Sequence, residues 1–144
     1  MGPAAAIRRI TVTGSFTVPC NARTALALFT PEGERSWVEG WAPTYLSGAT
    51  DEVGAVWTTA AHSHTTWVTV VRADDHITYA RVCDNGTAGL VGVRCLDGAG
   101  GATVHVTYDL TATSTAGLPW LQHFAAGFDV MLEEWRRLTV PLLT

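Results

Sequence analysis

Lysine is missing from this chain, and all nine basic residues are arginine. Schiff-base catalysis through a lysine and a P-loop-type phosphate grip are thereby excluded. Charge of any kind is scarce, at 15% of residues, and the net charge is −4 with the arginines scattered. No basic stripe exists to neutralise a phosphate backbone, so nucleic acid is not an expected partner. Cysteine is limited to Cys20, Cys83 and Cys95, an odd number without C-x-x-C spacing. That pattern fits small buried thiols in a reducing compartment better than a disulfide framework or a zinc site. No apolar run approaches the ~20 residues that cross a bilayer. Met1 to Thr11 carries Arg8 and Arg9 after a short Ala run, without the apolar region or cleavage site of a secretory leader. The sequence therefore reads as cytoplasmic, with no membrane span. Repeats, linkers and low-complexity tracts are also lacking.

What is present is apolar surface. Hydrophobic residues make up 47% of the 144, a length and composition that fit one globular domain over residues 1–144. A chain of this size buries roughly two thirds of its unfolded surface. Six tryptophans are many for one domain. Two of them fall in the segment Leu28 to Trp41, which also holds Glu32, Glu34, Glu39 and Arg35. Pro31 can open a short helix there, with Glu32 and Glu34 in a first turn that favours anions. Trp37 and Trp41 share a face if that turn continues through Gly40.

Around this segment the hydrophobic period is informative. Ile10, Val12, Gly14, Phe16 and Val18 alternate with Thr and Ser, which predicts a strand ending at Pro19. Asn21 can cap a helix of about two or three turns running to Phe29. Period two then returns in six candidate strands: Thr44 to Gly48, Ala55 to His62, Thr65 to Ala73, His76 to Cys83, Ala88 to Leu96 and Ala102 to Thr113. Short turns rich in Asp, Asn, Ser and Gly separate them, which implies an antiparallel meander. Leu121, Phe124, Phe128, Met131, Leu132, Trp135 and Leu138 form one apolar stripe on a helix from about Leu118 to Thr139. Pro119 sits near its start and Pro141 ends it. The expected class is α+β: a seven-stranded curved antiparallel sheet wrapped around a long C-terminal helix, with two short helices after the first strand.

This order, with Phe29 to Trp37, the strand opening Gly54-Ala55-Val56-Trp57, Thr65-Thr66-Trp67-Val68 and the helix Phe124 to Trp135, resembles the helix-grip fold of the START-related (SRPBCC) superfamily. In particular it resembles the bacterial polyketide cyclase/dehydrase-like branch. The resemblance implies an elongated apolar pocket between sheet and helix that holds a hydrophobic small molecule, without metal or organic cofactor. It implies no invariant catalytic set, and members that catalyse share the scaffold with members that only bind.

Strand parity supplies candidates for the pocket. If Tyr79 points inward then so does Arg81, a permanently charged fork that can stabilise an enolate or carboxylate. The alternatives are that Arg81 pairs with Glu34 or Glu39 and pins the short helix to the sheet, or that the parity is reversed. Glu34, if buried, becomes a proton-transfer group, and Arg81, Tyr79 and Glu34 form the candidate catalytic set. Val104, Val106, Tyr108 and Leu110 face inward in the last strand, leaving His105 and Asp109 outside; the Tyr108 phenol can donate to a ligand or to a backbone oxygen. Trp37, Trp41, Trp57, Trp67, Tyr108, Phe124, Phe128 and Met131 are the candidate ligand-binding residues, with Trp41 at the entrance and the parity of Trp67 open. Trp135 reads as core, and Trp120 as a surface or dimer contact. His62-Ser63-His64 has a spacing that can converge on a metal but lacks a third ligand nearby, so no metal site is expected. His123 is a minor general-base candidate.

Three functions compete. The first is a cofactor-independent cyclase/aromatase-type enzyme acting on a hydrophobic polyketide-like substrate. The second is a non-catalytic carrier or sensor of a hydrophobic or aromatic small molecule. The third is an interaction protein, a homodimer or accessory subunit anchored by Trp120 and Trp41.

Overall fold

The computed structural model describes residues 8–144. The stretch read above for a leader lies, up to Ile7, outside the described residues. The elements are β1 (Arg9–Val18), α1 (Ala22–Ala27), a 3-10 turn (Gly33–Ser36), β2 (Thr44–Ser47), β3 (Val56–Thr59), β4 (Thr65–Arg72), β5 (His76–Cys83), β6 (Thr87–Gly98), β7 (Gly101–Ala112), α2 (Gly117–Thr139) and a closing 3-10 turn (Val140–Leu142). The seven strands form one sheet in the order β1-β7-β6-β5-β4-β3-β2. Every pairing is antiparallel. The meander from β2 to β7 follows from its short turns, and β1 closes it by pairing with β7 along its whole length.

Alternation decides which face is buried. Ile77, Tyr79, Arg81 and Cys83 of β5, and Val104, Val106, Tyr108 and Leu110 of β7, all point to the protected side. His105 is exposed, and half-buried Asp109 forms an ion pair with Arg9 on the outside. Helix α2 lays Leu121, Phe128 and Leu132 on that same face. Arg136 and Arg137 in its last turn suit the negative end of the helix dipole and pair with Glu133 and Glu134.

The region after β1 differs from expectation. Asn21 does cap α1, accepting from the Thr24 N–H at 2.8 Å. The helix stops at Ala27, however, because Thr30 caps its end, donating to the Ala27 carbonyl at 2.8 Å and accepting from the Gly33 N–H at 2.9 Å. The second short helix is a single 3-10 turn. It does not reach Gly40, whose φ of +74° belongs to the left-handed region and turns the chain away. Trp37 and Trp41 consequently do not share a helical face. β3 ends at Thr59, three residues short of His62, which adopts φ 69° in the β3–β4 loop.

Candidate functional site

One row of paired residues crosses the sheet and builds the site: Tyr45, Trp57, Trp67, Arg81 and Gly89 are successive partners on β2 to β6. Register settles the parity of Trp67, which faces inward beside Arg81. The Trp57 and Trp67 rings lie nearly parallel, with an interplanar angle of 7° and centroids 6.2 Å apart. Tyr79 meets both edge-on, at 5.3 and 6.3 Å. Between these strands and α2 lies a cavity of about 360 Å³, within the range of small-molecule sites.

Arg81 is the charge in this cavity. It is 9% exposed. Its guanidinium carbon sits 5.4 Å from the Trp67 ring centroid and 5.7 Å from that of Trp120, so the cation is held between two indoles. Its Nε is buried without a hydrogen-bond partner. Among the described residues it forms no ion pair, with Glu34 and Glu39 included. A desolvated cation without a counter-charge is costly. The fork lines the cavity, and no protein acceptor meets its Nε.

Glu34 lines the same cavity from the 3-10 turn. Burial holds its carboxyl well above the ordinary value of 4.5, which favours the neutral acid. Tyr108 stands on β7, and burial pushes its phenol upward; the nearby Arg81 charge opposes that shift and Glu34 adds to it. Tyr79 is also pushed up, chiefly by burial. Its hydroxyl donates to the Phe29 carbonyl at 2.8 Å, which ties β5 to the end of the α1 segment. Tyr79 thus shapes the wall, with its proton already committed to the backbone.

The structure brings Glu34, Trp41, Trp57, Trp67, Tyr79, Arg81, Tyr108 and Met131 together around the cavity. It places Trp37, Phe124 and Phe128 elsewhere. Trp37 is buried against Phe29 and Trp135, at 5.5 and 5.3 Å, and donates to the Leu28 carbonyl at 2.7 Å. Phe124 and Phe128 form a layer behind Tyr108, at 4.9 and 6.0 Å. Arg35 bonds Glu32 on the surface of the turn.

Several lining residues were assigned otherwise or missed. Trp120 is taken up by the cavity wall, stacked on Phe124 at 5.0 Å and 11°, where it faces Arg81. Its position four residues before Phe124 was the available signal. Trp135 lines the cavity as well as packing in the core. Asn85, His62 and Ser63 belong to the lining too. Trp120 stands in the wall and Trp41 packs against Trp67 at 5.7 Å, and both indoles are half-buried. His123 is exposed and does not line the cavity. Among the described residues no group of three or more His, Cys, Asp or Glu is placed to hold a metal ion.

The cavity leads to the surface. A shallower groove of about 540 Å³ runs along the outer side of α2 past Gly127, Val130 and Leu138. It shares Val38, Glu39, His62, Met131 and Trp135 with the inner cavity. These five residues mark the mouth.

No protein-family model matches the chain, and no curated protein matches it. Solved structures do. The di-domain ARO/CYC StfQ from the steffimycin biosynthetic pathway superposes with a TM-score of 0.70 at 11% identity, covering 94% of this chain and 51% of StfQ. The fold is a helix-grip fold. DynU16 from the dynemicin biosynthetic locus shares it at a TM-score of 0.61 and 17% identity, over 88% of this chain and 46% of DynU16. An uncharacterized protein from Rhizobium leguminosarum matches at 0.63 and 14% identity, over 90% of this chain and 93% of its own. The chain thus spans about half the length of StfQ and DynU16. At these identities the helix-grip likeness concerns architecture, and the chemistry rests on the site itself. No helix among the described residues is long and apolar enough to cross a membrane.

Proposed function

We propose that this chain belongs to the START-related (SRPBCC) superfamily and is a cyclase/aromatase-type catalyst acting on a hydrophobic, polyketide-like substrate held in the inner cavity. The observation that carries the reading is the buried Arg81 guanidinium, held between two indoles with no protein counter-charge. A polyketone that has given up an acidic α-proton to solvent carries negative charge on an enolate oxygen, and its α-carbon closes the ring on a second carbonyl. A preformed cation in a water-poor cavity stabilises that charge more than the neutral ground state. Glu34, half-buried on the cavity wall with its carboxyl shifted upward, is the acid that hands a proton to the carbonyl oxygen under attack. Tyr108 offers a second O–H from the opposite wall, and the parallel Trp57 and Trp67 rings suit a product that becomes flat. StfQ and DynU16 come from natural-product loci, which agrees with this class of substrate.

A second reading, a non-catalytic carrier or sensor of the same kind of molecule, is favoured by one observation. The Tyr79 proton is committed to Phe29, and no hydrogen-bonded acid–base pair lines the cavity among the described residues. One experiment separates the two. The protein is incubated with a linear polyketone precursor and the products are compared with those formed in buffer. Catalysis predicts a changed product distribution that Arg81→Met and Glu34→Gln both reduce. A distribution identical to the spontaneous one refutes it.

A further inference from the structure

We propose that the molecule held here is an elongated organic anion: its planar charged end is seated at Arg81 between the indoles, and its apolar tail leaves through the mouth into the groove along α2. This rests on reading the cavity as the substrate site but not on turnover. Three observations fix the class and the orientation.

First, Arg81 is buried and uncompensated, and the other ionisable groups beside it do not supply an anion. Glu34 is favoured as the neutral acid, and Tyr79 and Tyr108 are held as phenols. A carboxylate or phenolate from outside is the ordinary partner for such a fork, because a charge-assisted pair recovers what desolvation costs. Second, the walls beside the guanidinium are flat and aromatic. Trp57 and Trp67 are nearly parallel and Trp120 closes the far side of the cation, a shape that suits an arene rather than a branched aliphatic acid. Third, the groove has the opposite character. Glu134 there is paired with Arg137, Glu39 is exposed and no arginine lines it, so it offers an anionic end no partner, while Val130, Met131, Trp135 and Leu138 give it apolar walls.

The groove is also kept open. Gly127 lies in the interior of α2, where glycine is unfavourable by about 1 kcal/mol relative to alanine. A Cβ there would meet nothing within 4 Å, so neither helix packing nor a close backbone contact accounts for the glycine. Val130, three residues on, is 75% exposed. An apolar tail resting on this stretch uses the gap beside Gly127 and covers Val130, and the shared mouth residues join this path to the head site.

Three probes test the proposal by tryptophan quenching and calorimetry: 2-naphthoate, its neutral isostere methyl 2-naphthyl ketone, and 6-octyl-2-naphthoate. Naphthoate is expected to bind at least tenfold more tightly than the ketone. Arg81→Met should remove that preference, and Arg81→Gln provides a second charge-removing variant if the first does not fold. The octyl compound is expected to exceed naphthoate by at least tenfold. In Gly127→Leu, which fills the groove with a better helix former, that ratio should fall toward one. Equal binding of acid and ketone overturns the anion assignment, and an octyl-to-parent ratio unaffected by Gly127→Leu overturns the groove. If both preferences hold while the polyketone precursor cyclises no faster than in buffer, the proposed catalysis falls and this inference stands. If cyclisation is accelerated and neither preference is found, this inference falls alone.

Discussion

Replacing Arg81 by methionine should stabilise the empty protein, and the structure allows the size to be worked out. On the favourable side the guanidinium has two indole faces, at 5.4 and 5.7 Å. Each is worth between about 0.5 and 2 kcal/mol. Against this stands a buried Nε without an acceptor, which costs about 1–3 kcal/mol. The charge is also partly desolvated, at a fraction of the several kcal/mol that full burial of an unpaired ion costs. Methionine keeps much of the stem's volume, and its sulfur makes contacts of about 0.3–1.5 kcal/mol with the same rings. At mid-range values, with the charge only partly desolvated, these terms favour Arg81→Met by about 1–2 kcal/mol. At roughly 3 °C per kcal/mol for a chain of this length, the melting midpoint should rise by about 3–6 °C. Calorimetry of protein stripped of ligand by unfolding and refolding is the assay. A variant less stable than the parent by more than about 1 kcal/mol refutes the reasoning, because the cation would then be a net structural support rather than a group waiting for a ligand.

Other expectations follow from the same geometry. Glu34 carries a folded-state pKa above the ordinary 4.5, so the folded protein holds a proton that the unfolded chain releases. Its contribution is therefore most favourable below that value and declines as pH rises toward the folded pKa; Glu34→Gln should flatten this slope in denaturant titrations run across pH. Trp37→Ala empties a core site packed by Phe29 and Trp135 and removes the bond to Leu28, so urea unfolding should report a loss of about 3–5 kcal/mol. Gly89→Ala should approach the upper end of the about 1–3 kcal/mol cost of overpacking, since its Cβ would lie 2.0 Å from the Asp109 carbonyl oxygen and push β6 from β7. Amide exchange along β7 is the local readout.

Period two was enough to orient β7, which alternates without interruption, so that a slip of one residue would expose the whole apolar set. In β5 it left Arg81 either inward beside Tyr79 or reversed; the structure takes the inward arrangement, and what meets Arg81 there was not legible. That depends on where the 3-10 turn directs Glu34 and Glu39, and the turn is set by the Thr30 cap and the break at Gly40. Trp67 was undecidable from its own strand, since its face follows from the β3–β4 register and so from a loop whose length alternation does not count. The helix stripe assigned Phe124 and Phe128 to the ligand because it shows which residues face the sheet. It does not show that Tyr108 stands between those two rings and the cavity. Trp120 was missed for the complementary reason: it flanks the stripe, and only the packing of α2 against β1 and β7 aims it at the guanidinium.

The same aromatic residues hold the cation and limit what can join it. Trp37, Trp41 and Trp67 donate their indole N–H groups to Leu28, Pro31 and Thr59. Trp67 therefore presents its face, not its N–H, to the cavity, and Trp57 alone keeps a buried N–H without a partner. A ligand entering this site meets flat apolar walls and, among the polar groups of the lining, the Arg81 fork, the Glu34 acid, the Tyr108 hydroxyl and the Trp57 N–H. All four can donate a hydrogen bond, and the neutral carboxyl and the phenol can also accept one. A site whose fixed charge is a donor and whose acid is kept neutral selects oxygen-rich, electron-rich planar molecules, and it strengthens its hold as negative charge grows on them. Binding of an anion and stabilisation of an enolate are thus two uses of one arrangement. The position of Glu34 relative to the bound oxygen decides whether the protein only carries its ligand or changes it.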